Sequence, residues 1–186
     1  MEFNLKQALK EYKPTDAKEK EDLIKIIEFL DNNSNCFERK NLEGHITAGA
    51  LVIDNTGNVL LNHHKVLDIW LHFGGHSDGD NNSLNVARRE VMEESGICDF
   101  DDSEGKIFDI DVHMIPENKE KKEPAHYHYD IRFLFIAKKS DFKISDESSD
   151  IKWVTMEKAR ELISNQATIR MINKAEVLWK ETNKID

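Results

Sequence analysis

The sequence predicts an α+β fold, an α/β/α sandwich in which helices cover a mixed β-sheet, preceded by a helical extension. Three observations point to it. Residues 45–64 read as a hairpin, HITAGALVID and VLLNHH around the turn NTGN. A charged helix follows, in which Leu84, Ala87 and Val91 recur at i, i+3 and i+7 as one apolar stripe. A long strand, AHYHYDIRFLFIAKK, and two closing helices complete the chain. Strands on either side of one central helix, then a terminal helix, suit a mixed sheet between helices.

Residues 1–40 form the extension and residues 41–186 the main domain. Leu5, Leu9 and Tyr12 keep helical spacing until Pro14 breaks the run. Thr15 or Asp16 caps a second helix with the stripe Leu23, Ile26, Ile27 and Leu30, and Asn32, Asn33 and Asn35 mark the loop after it. Such a segment packs on its domain, covers substrate as a lid, or serves as the arm of a homodimer; simple packing is preferred. After the hairpin, WLHF (70–73) is a short strand feeding a Gly-rich acidic loop, Gly74 to Asn82. Asn82 or Ser83 caps the central helix, and Gly96 stands where a left-handed residue ends one. Residues 112–123, including PENKEKKE, read as a solvated loop. Beyond the long strand, IKWV is another strand, Thr155 caps a helix through about Asn165 with Met156, Ala159, Leu162 and Ile163 inward, and Ile169 to Thr182 is the last helix.

The chain of 186 residues carries 26 basic and 36 acidic side chains, a formal net charge of −10. That balance excludes nucleic acid as a simple electrostatic partner. A polyphosphate remains compatible when metal ions bridge the two sets of negative charge. Cys36 and Cys98 lack metal or redox spacing and read as reduced cysteines of a cytosolic protein. No apolar run approaches the roughly 20 residues of a membrane span, and MEFNLKQALKEYK has no signal-peptide core. A cytoplasmic protein without membrane contact is expected.

The chemistry concentrates on the central helix. Glu90, Glu93 and Glu94 lie at i, i+3 and i+4, so their carboxylates share one face. Like charges at this spacing cost about 0.2–0.5 kcal/mol per pair. The last helical turn disfavours anions by a further 0.3–1 kcal/mol or so each. Arg89, four residues before Glu93, offsets part of this. A divalent cation relieves the rest, and hard oxygen donors suit Mg²⁺ or Mn²⁺ rather than Zn²⁺. A solvated acidic face is the plainer explanation of an arbitrary glutamate triplet.

The stretch from Gly75 to Ile97 resembles the Nudix box, G-x5-E-x7-R-E-U-x-E-E-x-G-U with U a bulky aliphatic. Gly75, Arg89, Glu90, Val91, Glu93, Glu94, Gly96 and Ile97 fill its positions at the right spacing. Asn81 stands where the first glutamate belongs. The resemblance extends over residues 45–165, and the leading helices with GHITAGALVID, WLHFGGH and HYHYDIRF are similar to one extended branch of the Nudix hydrolases.

That resemblance implies a hydrolase cleaving a nucleoside diphosphate linked to another moiety, with ADP-ribose, dinucleotide polyphosphates, nucleotide sugars and damaged nucleotides as candidate substrates. It implies that Glu90, Glu93 and Glu94 hold Mg²⁺, that a backbone carbonyl at Gly74 or Gly75 adds a ligand, and that Arg89 orients Glu93. Glu93 and Glu147 are the two candidate general bases. Asn81 lacks the charge of the expected acid and lowers metal affinity, with Asp80 beside it as a substitute.

His126 and His128 alternate on one strand and so share a face, with Asp130 in line. With His76 and Gly75 they are candidate substrate-binding residues, and with His45 and His76 they are candidates for a second metal site. Neutral imidazoles bind metal; imidazolium binds phosphate. Isopentenyl-diphosphate isomerases share the fold and use histidines at places resembling His45 and His76. Their reactive cysteine would fall near Gly74, where there is none, and their paired acids at His126 and His128. A Nudix-fold sensor that binds nucleotide without cleaving it is the non-enzymatic alternative, against which the intact REVMEE run speaks.

Overall fold

The computed structural model describes residues 3–119, 122–146 and 148–182. They form two compact units: Met1–Gly49 with Gly74–Ala87 and Gly105–Phe133, and Ala50–Phe73 with Arg88–Glu104 and Leu134–Asp186.

The first unit opens with helix α1 (Leu5–Glu11), capped by the Asn4 side chain accepting from Gln7 N. Helix α2 (Ala17–Asn32) is capped by Asp16 accepting from Glu19 N. Its buried face is Glu19, Asp22, Ile26, Phe29 and Leu30, whereas Ile27 is 37% exposed. The expected stripe is thus rotated, because two acids inside it are satisfied. Asp22 accepts from Lys18 Nζ and from Val112 N, and Glu19 accepts from the backbone N–H and hydroxyl of Thr15. A buried carboxylate with such partners does not force its face outward. Strand β1 (Gly44–Ile53) begins in this unit and continues into the second.

The second unit takes up the hairpin with β2 (Val59–His64), pairing Val52 with Leu60 and Ile53 with Val59. The Asp54 carboxylate closes the turn, accepting from Thr56 N and Asn58 N. Strand β3 (Ile69–Leu71) pairs antiparallel with β2. Next comes β4 (Phe73–His76), which pairs with β1. Gly74 and Gly75 therefore lie in a strand, not in the acidic loop. A Cβ on Gly74 would sit 2.8 Å from Gly49 Cα and 3.0 Å from Ala48 O, so only glycine lets β4 approach β1 this closely.

Helix α3 (Ser83–Ser95) carries the acidic motif. Asn82 caps it, its side chain accepting from Asn85 N. Gly96 ends it at φ +72°, donating to Met92 O. Strand β5 (Phe100–Asp101) follows, then β6 (Asp109–Ile115) and β7 (His126–Ala137). Residues 112–115 are strand rather than loop, because Val112 to Ile115 pair in register with Tyr129 to His126. Strand β8 (Ser148–Val154) pairs with β2 through a bulge at His63 and His64. Helix α4 (Met156–Leu162) is capped by Thr155. Helix α5 (Gln166–Thr182) starts three residues earlier than expected, because Asn165 caps it by accepting from Thr168 N. Among the described residues no helix is long and apolar enough to cross a membrane. Cys36 and Cys98 are free thiols, the first buried and the second exposed.

Apolar burial follows the strands. Ile46, Ala48, Ile110, Ile131 and Phe133 are fully inside the first unit, and Val52, Leu60, Leu61, Phe135 and Ile172 inside the second. Each of these side chains larger than alanine contributes about 1.5–3 kcal/mol. This rigid packing holds the two polar clusters described next.

Candidate active site and histidine cluster

The acidic face of α3 belongs to the second unit. Glu90 is held inward, its side chain 13% exposed, whereas Glu93 is 55% exposed. Arg89 Nη1 lies 3.1 Å from Glu90 and 3.8 Å from Glu93. The guanidinium thus serves both acids and sits closer to the more buried one, where water screens the attraction least. Glu94 accepts from Asn62 Nδ2 on β2 at 2.9 Å. A carboxylate only accepts, so the amide must turn its nitrogen toward Glu94. Asn62 Oδ1 is then left buried and without a hydrogen-bond partner.

These residues fit a hard divalent cation. The donors are all oxygen, as Mg²⁺ and Mn²⁺ prefer. The unpaired Asn62 oxygen is a buried acceptor that water on a hydrated cation can satisfy. Asn62 was not among the expected site residues. Its only sequence signal is one amide inside an apolar strand, VLLNHH.

Other expected site residues lie elsewhere. Gly75 and His76 end β4, both half-buried. Asn81 is exposed in the loop before α3, where Asp80 accepts from Asn82 N. Glu147 lies outside the described residues.

The first unit gathers His45 from β1, His76 from β4 and His128 from β7, each offering one ring nitrogen, all within 4.8 Å of one another. The ring centroids stand 4.8–5.0 Å apart. His126 joins them, its Nε2 3.3 Å from His128 Nε2 and its ring 5.0 Å from His45. Burial, then the neighbouring His126, pushes His45 down to about 4. Burial, then Arg39, brings His76 to about 4. Burial, then His76 and His45, takes His128 to about 2. The rings are therefore neutral donors at physiological pH rather than phosphate-binding cations.

Behind them a buried ion network fixes β6 and β7. Arg132 is 1% exposed and meets Asp130 at 2.7 Å, Asp111 at 3.4 Å and Asp109 at 3.6 Å. Asp130, expected in line with the histidines, is engaged here and also accepts from Thr47 Oγ1. Tyr129 stacks on Phe29 at 3.9 Å, so that ring is committed to packing.

A NUDIX domain model matches residues 44–174. The chain belongs to the Nudix family. The matched Nudix domain begins at β1 and leaves α1 and α2 outside it. As a Nudix pyrophosphohydrolase the protein acts on phosphorus anhydrides. A probable DHNTP pyrophosphohydrolase of Lactococcus lactis subsp. cremoris (strain MG1363) is 30% identical over 131 residues, 70% of this chain and 77% of the relative. An Ap4A hydrolase of C. elegans in a binary complex has the same Nudix fold, with a TM-score of 0.60, 19% identity, and coverage of 73% of this chain and 98% of the other. The Nudix domain of Shewanella oneidensis NrtR, complexed with ADP ribose, aligns at a TM-score of 0.54 and 15% identity over 82% of this chain and 97% of that one.

Proposed function

We propose that this Nudix hydrolase cleaves the pyrophosphate bond of a nucleoside diphosphate derivative, NDP-X, with ADP-ribose as the type of substrate. In this reading it is a cytoplasmic enzyme, residues 1–40 are an extension of the hydrolase domain, and Glu90, Glu93 and Glu94 hold Mg²⁺ or Mn²⁺. The observation that supports it best is the acidic face of α3, with Glu90 beside Arg89 and Glu94 beside Asn62.

A bound ion would neutralise pyrophosphate charge and lower the pKa of a coordinated water. The side chains supply the rest by position. Glu90 and Glu94 have fixed neighbours and suit anchoring. Glu93, the more exposed acid, suits accepting a proton from the attacking water. Arg89 acts as a positioning residue for Glu90 and Glu93. Glu147 remains the other candidate base. Gly75, His76, His126 and His128 are the candidate substrate-binding set, and the neutral rings of His76 and His128 meet phosphate as hydrogen-bond donors or through a cation.

The test is product release with Mg²⁺ from ADP-ribose, Ap4A, DHNTP and nucleotide sugars, comparing wild type with Glu94→Gln. Loss of about 100-fold or more in kcat is expected, as for other electrostatic catalytic groups. Undiminished cleavage by the variant overturns the assignment. Tight binding of one compound without turnover in either protein would make it a sensor.

A further inference from the structure

We propose that His45, His76 and His128 form a transition-metal site separate in chemistry from the carboxylates of α3, taking a Zn²⁺-class ion. His45 is 3% exposed, and neither ring nitrogen has a hydrogen-bond partner of acceptable geometry. The Asn41 backbone lies near enough only to favour the charged ring slightly. A buried imidazole needs a partner for its N–H and offers one lone pair, and here the rings of His76, His126 and His128 face it instead.

The geometry suits coordination. Three atoms no more than 4.8 Å apart share a point within 4.8/√3, about 2.8 Å, of each. Each ring then moves inward by about 0.7 Å to reach the 2.0–2.1 Å of a Zn–N bond. Three different strands carry the ligands, so their backbones are fixed. His126 adds a fourth donor. Its Nδ1–H donates to Pro124 O at 2.8 Å, which leaves the lone pair on Nε2, beside His128. A ring nitrogen pinned by a backbone carbonyl is the outer-shell arrangement that orients a metal-binding histidine. All-imidazole donors favour Zn²⁺, Fe²⁺, Co²⁺ or Ni²⁺ over Mg²⁺.

Arg39 opposes loading. Its guanidinium contacts His76 Nδ1 and lies 3.4 Å from Asp78. If Nδ1 is the ligand, arginine and ion compete for one lone pair. If Nε2 is the ligand, Nδ1 carries the proton and faces an N–H. Either way Arg39 leaves His76 on metal binding, with Asp78 ready to receive it.

The full chain, stripped with chelator, is titrated calorimetrically with Zn²⁺ and, separately, with Co²⁺ while visible absorption is recorded. One ion per chain is expected, with Co²⁺ bands of a nitrogen-ligated site. His45→Ala with His128→Ala should weaken Zn²⁺ by more than about 100-fold, since even loss of an outer-shell partner costs 10–100-fold. Arg39→Gln, an exposed change that spares the fold, should tighten Zn²⁺. Glu90→Gln with Glu94→Gln should leave Zn²⁺ uptake and the Co²⁺ bands intact. Zn²⁺ uptake that survives loss of the histidines, that disappears with the glutamates, or that is absent at millimolar ion overturns the proposal, as does unchanged affinity in Arg39→Gln.

Discussion

Replacing Arg132 by leucine tests whether the ion network behind the histidines is held by mutual compensation. The guanidinium is 1% exposed and has Asp109, Asp111 and Asp130 around it, themselves 0%, 5% and 8% exposed. Leucine fills much of the volume but takes the guanidinium away from three buried carboxylates, of which Asp111 keeps Lys18 at 3.6 Å. Breaking a buried pair costs about 3–5 kcal/mol, against a typical total stability of about 5–15 kcal/mol. In a chain of this size that is a fall in Tm of about 6–20 °C. The pH dependence is the sharper measurement. In wild type, burial pushes the Asp111 carboxyl up, but the His113 hydrogen bond and the Arg132 charge outweigh it and leave the group below its ordinary value. A depressed carboxyl contributes stability above the unfolded pKa and loses it as pH falls through the folded one. Without Arg132 one of the lowering causes is lost and the carboxyl rises, while the His113 hydrogen bond and Lys18, 3.6 Å away, remain. The folded variant then takes up its proton first, and acid narrows the gap to wild type. Urea unfolding of both proteins at pH 7 and just below about pH 4, where the carboxyl's ordinary value lies, reads this directly. A deficit below about 1 kcal/mol at pH 7, or an equal deficit at both pH values, would refute the compensation argument.

Three further outcomes are expected. Gly74→Ala places a methyl 2.8 Å from Gly49 Cα, where backbone must yield, and should destabilise by about 1–3 kcal/mol in urea unfolding. Asn62→Ala removes the donor to Glu94 and should lower kcat about tenfold while leaving KM nearly unchanged; rescue by Asn62→Gln would mark positioning rather than packing. Asn81→Glu restores the box acid at an exposed position and should raise Mg²⁺ affinity and turnover together; no change in either would show that this position has no part in the site.

The elements that were legible in the sequence are those with a strong local period or cap. The hairpin, α3 with Asn82 before and Gly96 after it, the long strand and the Thr155 cap all announce themselves within a few residues. The misread parts depend on distant partners. The face of α2 turned because Asp22 meets Val112, 90 residues away, and no local pattern encodes that hydrogen bond. Residues 112–115 looked like charged loop until their pairing with β7 supplied a reason to be extended. The acids of α3 were visible because helical spacing alone groups them. Asn62 and Arg132 needed strand pairing, which one sequence shows only as scattered polar residues, whereas the grouping of His45, His76 and His128 was expected through the fold resemblance and not through spacing.

Two donor sets of different hardness on one chain have a consequence for loading. On the proposed reading, the carboxylates on α3 would bind through oxygen and discriminate weakly among divalent ions, so abundance would favour Mg²⁺ there. Neutral imidazoles held by β1, β4 and β7 reject Mg²⁺ and rank ions by the Irving–Williams order. A mild chelator selective for transition ions would therefore empty the histidines and spare the carboxylates. If turnover in Mg²⁺ alone survives that treatment, the histidines have a role apart from the chemical step. If it is lost and returns with Zn²⁺ or Fe²⁺, the imidazole-bound ion takes part in substrate binding or catalysis, and His76, His126 and His128 reach phosphate through it.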